Sequence, residues 1–288
     1  MFSYRHGFHA GNHADVLKHM VLVQVLEHLL QKDKPFWVID THAGGGVYDL
    51  TSNYATKSGE FEGGIGRIWP LRKAAGTPVA VKALLDQIAA LNNGTDLRWY
   101  PGSPQLAAQM LRQGDHLRLC ELHPTEIGLL RDHFAGVKRG VSIEQVDGFT
   151  DLPKVLPPPP RRGLVHIDPP YEMKEDYKKV LQTLRTATER FATGTYAIWY
   201  PEVARMESQQ FGGQLKRLGG SLGKVDWVHA TLRVKGAEKG GLGLYGSGMF
   251  VINPPWTLYD RLAEALPWLV ETIGLDDYAA YTLEAQQS

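Results

Sequence analysis

The chain has 288 residues, of which 43% are hydrophobic and 22% charged. Its 31 basic and 31 acidic side chains give a formal net charge of zero. That is a globular composition. No run approaches the roughly 18 apolar residues of a helical membrane span, and balanced charge argues against a generic binder of phosphate backbones.

The opening residues have no apolar core segment and are expected not to be a secretory signal. Asn12 followed by Asp15 predicts a helix start, with Asn12 as N-cap. Val16, Leu17, Met20, Val21, Val25, Leu26, Leu29 and Leu30 then recur at helical spacing until Pro35 ends the run. The segment PFWVIDTHAGGG predicts a buried strand running into a glycine turn. Residues 50–102 carry weak strand signals and predict a helical insertion, with helices near 60–71 and 78–92. In YPGSP, Ser103 is the expected N-cap and Pro104 the first helical residue.

Strand-like runs follow at 116–121, 141–146, 163–168, 195–200, 225–234 and 249–253. Helices are expected between them at 124–134, 174–191 and 202–218. Alternation of this kind implies a mostly parallel, doubly wound sheet. A glycine-rich link in place of a helix makes the last two strands a hairpin. The single cysteine, Cys120, sits in the apolar run HLRLCELH and reads as a small core residue in a reducing compartment.

Four motifs occur in order. Asp40-Thr41-His42-Ala43-Gly44-Gly45-Gly46 follows the first strand, and a glycine turn there lets backbone approach a nucleotide-like ligand. Glu121 ends a later strand, where an acid accepts ribose hydroxyls; its distance from the turn is explained by the insertion. Asp147-Gly148 ends the next strand. Asp147 is placed to accept from an adenine amino group, with Gly148 leaving room for the ring.

Asp168-Pro169-Pro170-Tyr171 carries the most chemistry. An aromatic amine delocalises its lone pair and is a poor nucleophile. The Asp168 carboxylate accepts one N–H and the Pro169 carbonyl the other, aiming the lone pair at an in-line methyl group. Tyr171 is expected to stack on the target base, a contact worth about 1–3 kcal/mol. Asp168 also takes the released proton. Asn253-Pro254-Pro255-Trp256 has a similar pattern, but follows the terminal hairpin and reads as a structural turn.

With these residues in place, the chain resembles the ribosomal large subunit methyltransferase J family, the 23S ribosomal RNA adenine-N6 methyltransferases. The resemblance runs from residue 1 to about residue 268. It rests on SYRH, FHAGNHADVLKH, DTHAG, YPGSP, CELHP, IDPPYEMK and INPPW, and is absent after about residue 270. It implies a Rossmann-like class I S-adenosylmethionine-dependent methyltransferase: an α/β fold with a mostly parallel seven-stranded sheet, a terminal antiparallel hairpin and a small helical insertion. Residues 1–288 would form a single domain, with 1–34 closing over the active site.

The implied S-adenosylmethionine site comprises His19, His42, Ser103, Glu121, Asp147, Gly148 and Asp168. The implied nucleotide contacts are Tyr4, His6, Lys18 and Tyr171. Within the insertion, Lys57, Arg67, Arg72 and Lys73 are candidate phosphate contacts. The expected partner is 23S rRNA, free or early in assembly, met by a cytoplasmic monomer with no membrane partner. Competing readings are a DNA adenine methyltransferase, which would normally need a larger recognition domain, and a side-chain amide methyltransferase, whose motif begins with Asn. A metal hydrolase built on His6, His9, His13 and His19 lacks HExxH, and no metal is expected. A non-catalytic RNA-binding module would leave Asp168–Tyr171 unexplained.

Overall fold

The computed structural model describes residues 6–93, 96–137, 140–223, 225–237 and 243–287. Tyr4, an expected nucleotide contact, lies outside the described residues. Helix α1 (His13–Leu30) precedes strand β1 (Trp37–Asp40). The insertion is opened by β2 (Val47–Asp49) and closed by β3 (Trp99–Pro101), with α2 (Asn53–Ser58), α3 (Ile65–Ile68) and α4 (Val79–Leu91) between them. Next come α5 (Ser103–Met110), β4 (His116–Cys120), α6 (Pro124–Phe134), β5 (Val141–Glu144) and α7 (Gly148–Val155). They are followed by β6 (Gly163–Ile167), α8 (Lys174–Arg190), β7 (Thr195–Glu202) and α9 (Met206–Ser221). The last elements are β8 (Trp227–Arg233), β9 (Gly246–Ile252), α10 (Leu258–Ile273) and β10 (Ala280–Gln286).

The main sheet has the order β10-β8-β9-β7-β6-β1-β4-β5. Strands β5, β4, β1, β6 and β7 are parallel, whereas β9 runs antiparallel to both β7 and β8. The sheet therefore has eight strands, not the expected seven. The extra one is β10, antiparallel on the open edge of β8 and largely exposed. A strand with no buried face shows no clean apolar alternation, so its sequence gave no strand signal. Strands β2 and β3 pair as a separate two-stranded sheet, and at three residues each they are too short for periodicity to reveal.

The Asn12 side chain accepts from the Ala14 and Asp15 amides, each at 3.0 Å, and starts α1 as expected. This helix is buried on nearly every face, because α4, α5, α10 and β9 all pack on it. The insertion is thus part of the core. Ala80, Val81, Leu84, Leu85 and Ile88 of α4 are each 1% exposed or less.

The helix expected at 60–71 is broken into a 3-10 turn, α3 and a second 3-10 turn. Gly64 explains the break: a Cβ there would lie 2.3 Å from the Gly11 carbonyl oxygen, so the insertion and the N-terminal turn meet backbone to backbone. Ser103 is the first residue of α5 rather than its N-cap, which is Gly102. Its hydroxyl is used elsewhere, as described next.

Candidate active site

The parallel strands β1, β4, β5 and β6 end along one edge of the sheet, where loops carry function in doubly wound folds. A cavity of about 270 Å³ opens there. All seven residues expected to hold the cofactor line it: His19, His42, Ser103, Glu121, Asp147, Gly148 and Asp168.

After β1, the buried Asp40 carboxylate accepts from the Ser103 hydroxyl at 2.6 Å and from the His42 amide at 3.2 Å. Burial raises the Asp40 pKa. The chain then turns through Gly44 at φ +64°, where a Cβ would lie 2.5 Å from the Tyr48 hydroxyl. The Gly44 amide donates to Glu121 Oε2 at 2.8 Å, and the His123 amide to Glu121 Oε1 at 2.6 Å. Both carboxylate oxygens are thereby fixed, and their remaining lone pairs serve the cavity.

Asp147 caps α7, its Oδ1 accepting from the Phe149 amide at 2.9 Å. A Cβ on Gly148 would lie 2.1 Å from the Thr41 carbonyl oxygen. The glycine is therefore required first for close approach of α7 to the β1 turn, and only in addition opens space in the cavity. His42 packs edge-on to Phe149 and its pKa is pushed down by burial to about 4, so it is neutral at pH 7. His19 meets the Tyr100 hydroxyl at 2.9 Å, and burial lowers its pKa as well.

Asp168 follows β6. Its Oδ2 accepts from Lys18 Nζ at 2.6 Å, and the same ammonium reaches Asp15 Oδ1 at 2.7 Å. Asp15 Oδ2 in turn accepts from the Gly11 amide and meets His6 Nε2, both at 2.9 Å. Burial alone would lower the Lys18 pKa, but the two carboxylates beside it hold it above the usual lysine value. Asp15 is held well below the usual carboxylate range by His6 and Lys18, against the effect of its burial. Among the described residues, Asp168 Oδ1 has no hydrogen-bond partner.

A second cavity of about 350 Å³ lies on the other side of Lys18 and shares His6, Lys18 and Pro170 with the first. Tyr171, Trp199, Pro201 and Arg205 form part of its wall. Tyr171 is not the exposed platform its place after a proline turn suggested. It is 4% exposed, its hydroxyl donates to the Trp199 carbonyl at 2.7 Å, and its ring packs against Tyr177 and Phe211.

Sequence reasoning missed Asp15, Trp199 and Arg205, and placed Asp40 in the glycine-turn motif without foreseeing its bond to Ser103. For Asp15 a signal existed, its i, i+3 spacing from Lys18 on one helix. The others become site residues only when distant strands meet. Asn253 ends β9, which runs antiparallel, so it lies at the opposite edge of the sheet from Asp168. Its amide donates to the carbonyls of Ala192 and Gly194, confirming a structural turn. Cys120 is buried and its thiol is pushed up by burial to about 12, as suits a core residue.

Of the insertion's basic residues, Arg67 donates to the Gly274 carbonyl at 3.0 Å. Arg72 stacks 4.5 Å from the Trp69 ring and donates to the Trp69 carbonyl. Lys57 and Lys73 are exposed.

The family model described as Ribosomal RNA large subunit methyltransferase D, RlmJ, matches residues 33–284. Ribosomal RNA large subunit methyltransferase J of Haemophilus influenzae is 44% identical over 285 residues, covering 99% of this chain and 98% of the relative. The Escherichia coli protein of the same name is 45% identical over 269 residues, 93% of each chain. A crystal structure of a Legionella pneumophila protein superposes with a TM-score of 0.84 at 36% identity, covering 96% of this chain and 98% of that one. A dedicated two-sided carboxylate at Glu121, a capped acid at Asp147 and an Asp-Pro-Pro-Tyr turn at the junction of two cavities agree with these likenesses. The chain belongs to the RlmJ family of ribosomal RNA large subunit methyltransferases.

Proposed function

We propose that the chain transfers a methyl group from S-adenosylmethionine to N6 of one adenine in 23S ribosomal RNA. The observation that carries this reading is the position of Asp168. It lines the first cavity next to Lys18 and Pro170, which face both cavities, with one carboxylate oxygen held by Lys18 and the other without a partner among the described residues.

The first cavity fits the cofactor. Glu121 offers tethered lone pairs to two ribose hydroxyls, and Asp147 offers an acceptor to an adenine amino group. S-adenosylmethionine, when bound, supplies a methyl group on a positively charged sulfur. The protein does the rest by positioning. Asp168 Oδ1 accepts one N–H of the target amine and the Pro169 carbonyl the other. Pro169 itself has no N–H to compete. Lys18 keeps the carboxylate from rotating away. Once the nitrogen is alkylated, it passes a proton to Asp168.

The target base enters through the second cavity, over Pro170 and Trp199 and beside His6. It must leave its stack to do so, at a cost of a few kcal/mol, which favours unpaired RNA. In this reading the chain acts as a monomer. A cytoplasmic enzyme is part of the same reading.

The test is transfer of labelled methyl to unmodified 23S rRNA, duplex DNA and protein, with wild type and Asp168→Ala. Label in N6-methyladenosine from RNA alone, lost in the variant, is the expected result. Label in DNA would keep the chemistry and replace the substrate. Transfer that survives in Asp168→Ala would overturn the assignment of the catalytic residue.

A further inference from the structure

Arg205 stands at the N-cap position of α9, half-buried in the wall of the second cavity. Its Nη1 donates to the carbonyls of Tyr171 at 3.2 Å and Glu172 at 3.3 Å, in the loop that carries Asp168, Pro169 and Pro170. Tyr171 takes a left-handed conformation at φ +51°, so this loop is bent at the point where Arg205 holds it.

The remaining donors of the guanidinium, on Nη2 and Nε, make no hydrogen bond among the described residues. No carboxylate among them lies within ion-pairing distance of Arg205 either. The nearest acid in sequence, Glu207, is taken by Lys174 at 2.9 Å. The acids lining the cavity are also engaged: Asp15 with Lys18 and His6, and Glu60 with His9 and Asn12. A fixed guanidinium with spare donors and no ion-paired carboxylate among the described residues attracts an anion, and its fork geometry suits phosphate.

We infer that Arg205 binds the phosphate next to the target nucleotide. The strand would then enter over the β7–α9 junction, its backbone held at Arg205 while the base reaches inward to Asp168. This inference rests on RNA being the substrate. It adds a function for a side chain outside the methyl-transfer machinery. Arg205 grips the catalytic loop with one nitrogen and the substrate backbone with the others, so correct RNA seating and loop position are linked.

The test uses a 23S rRNA fragment that accepts label, synthesised with a single neutral methylphosphonate on the 5′ or the 3′ side of the methylated adenosine. With wild type, neutralising one of the two linkages is expected to weaken binding about tenfold or more, as for loss of a charge-assisted hydrogen bond. Arg205→Gln is expected to bind the native and neutral fragments equally, with cofactor affinity unchanged. Its log-affinity should fall less steeply with log salt, by about 0.7 for one phosphate on a single strand.

Arg205→Lys keeps the charge and serves as the second variant if the glutamine form does not fold. It is expected to keep the salt slope and lose only part of the discrimination. Undiminished discrimination in Arg205→Gln, or equal binding of all three fragments by wild type, would overturn the inference. A wild type that methylates DNA and not RNA would instead remove the reading on which it rests.

Discussion

Lys18 joins the buried Asp15 carboxylate to the half-buried Asp168, and this sets what a single substitution there does. Removing the ammonium leaves Asp15 and Asp168 facing each other without a cation, and breaking a buried pair in this way costs about 3–5 kcal/mol. Lys18→Met is therefore expected to lower the unfolding free energy from urea titration by that amount, moving the midpoint down, and to abolish transfer. Adding Asp15→Asn should return part of the stability but none of the activity, because Asp168 still lacks its anchor. A Lys18→Met protein with the wild-type midpoint would show that the pair contributes no net stability. The residue types of this line were legible in the sequence, since Asp168 and Lys18 both lay in conspicuous motifs. Their contact was not, because 150 positions separate them.

The insertion shows how an element can be found correctly and its role misjudged. Its composition marked it as helical, and its place outside the strand alternation suggested an appendage that meets RNA. In the fold, α4 covers α1, and α10 packs against both α3 and α4, so much of the insertion is occupied with core packing. Two of its four candidate cations donate to protein carbonyls, Arg67 to Gly274 and Arg72 to Trp69. Lys57 and Lys73 are the exposed pair left to meet phosphate. Reversing both to Glu is expected to weaken 23S rRNA binding and flatten its salt dependence, with cofactor affinity unchanged. Unaltered RNA affinity would take the insertion out of the RNA surface.

Across the whole molecule, buried histidines set the response to acid. Burial lowers His13, His42 and His229 each to about 4, against an ordinary value of 6.5. The unfolded chain thus binds more protons than the folded one between about pH 6.5 and 4, and stability is lost as pH falls through that window. The melting temperature should drop between pH 7 and pH 5. His229→Gln, remote from the site, should reduce the slope by removing a penalty on the order of 1–2 kcal/mol at pH 5. An unchanged slope would mean that His229 does not protonate on unfolding in that range. In the proposed reaction the target adenine must leave its stack, and this acts at the same scale. Free 23S rRNA should be methylated faster than assembled particles, and equal rates would show that the adenine is already accessible in the particle.

The sequence by itself determined the α1 start at Asn12, the alternation of β4 to α9, and the four loops that meet at the first cavity. These are local signals: caps, apolar periods, and glycines or acids at strand ends. Tertiary structure alone decided that β10 completes an eighth strand, because an exposed edge strand bears no apolar period. It also decided that Tyr171 is buried and that Gly148 serves the backbone of Thr41. The second cavity could not be read from the chain, since its walls come from α1, the insertion, β7 and the loop before β9. Those segments become neighbours only when the parallel strands align and bring Asp168 to Lys18.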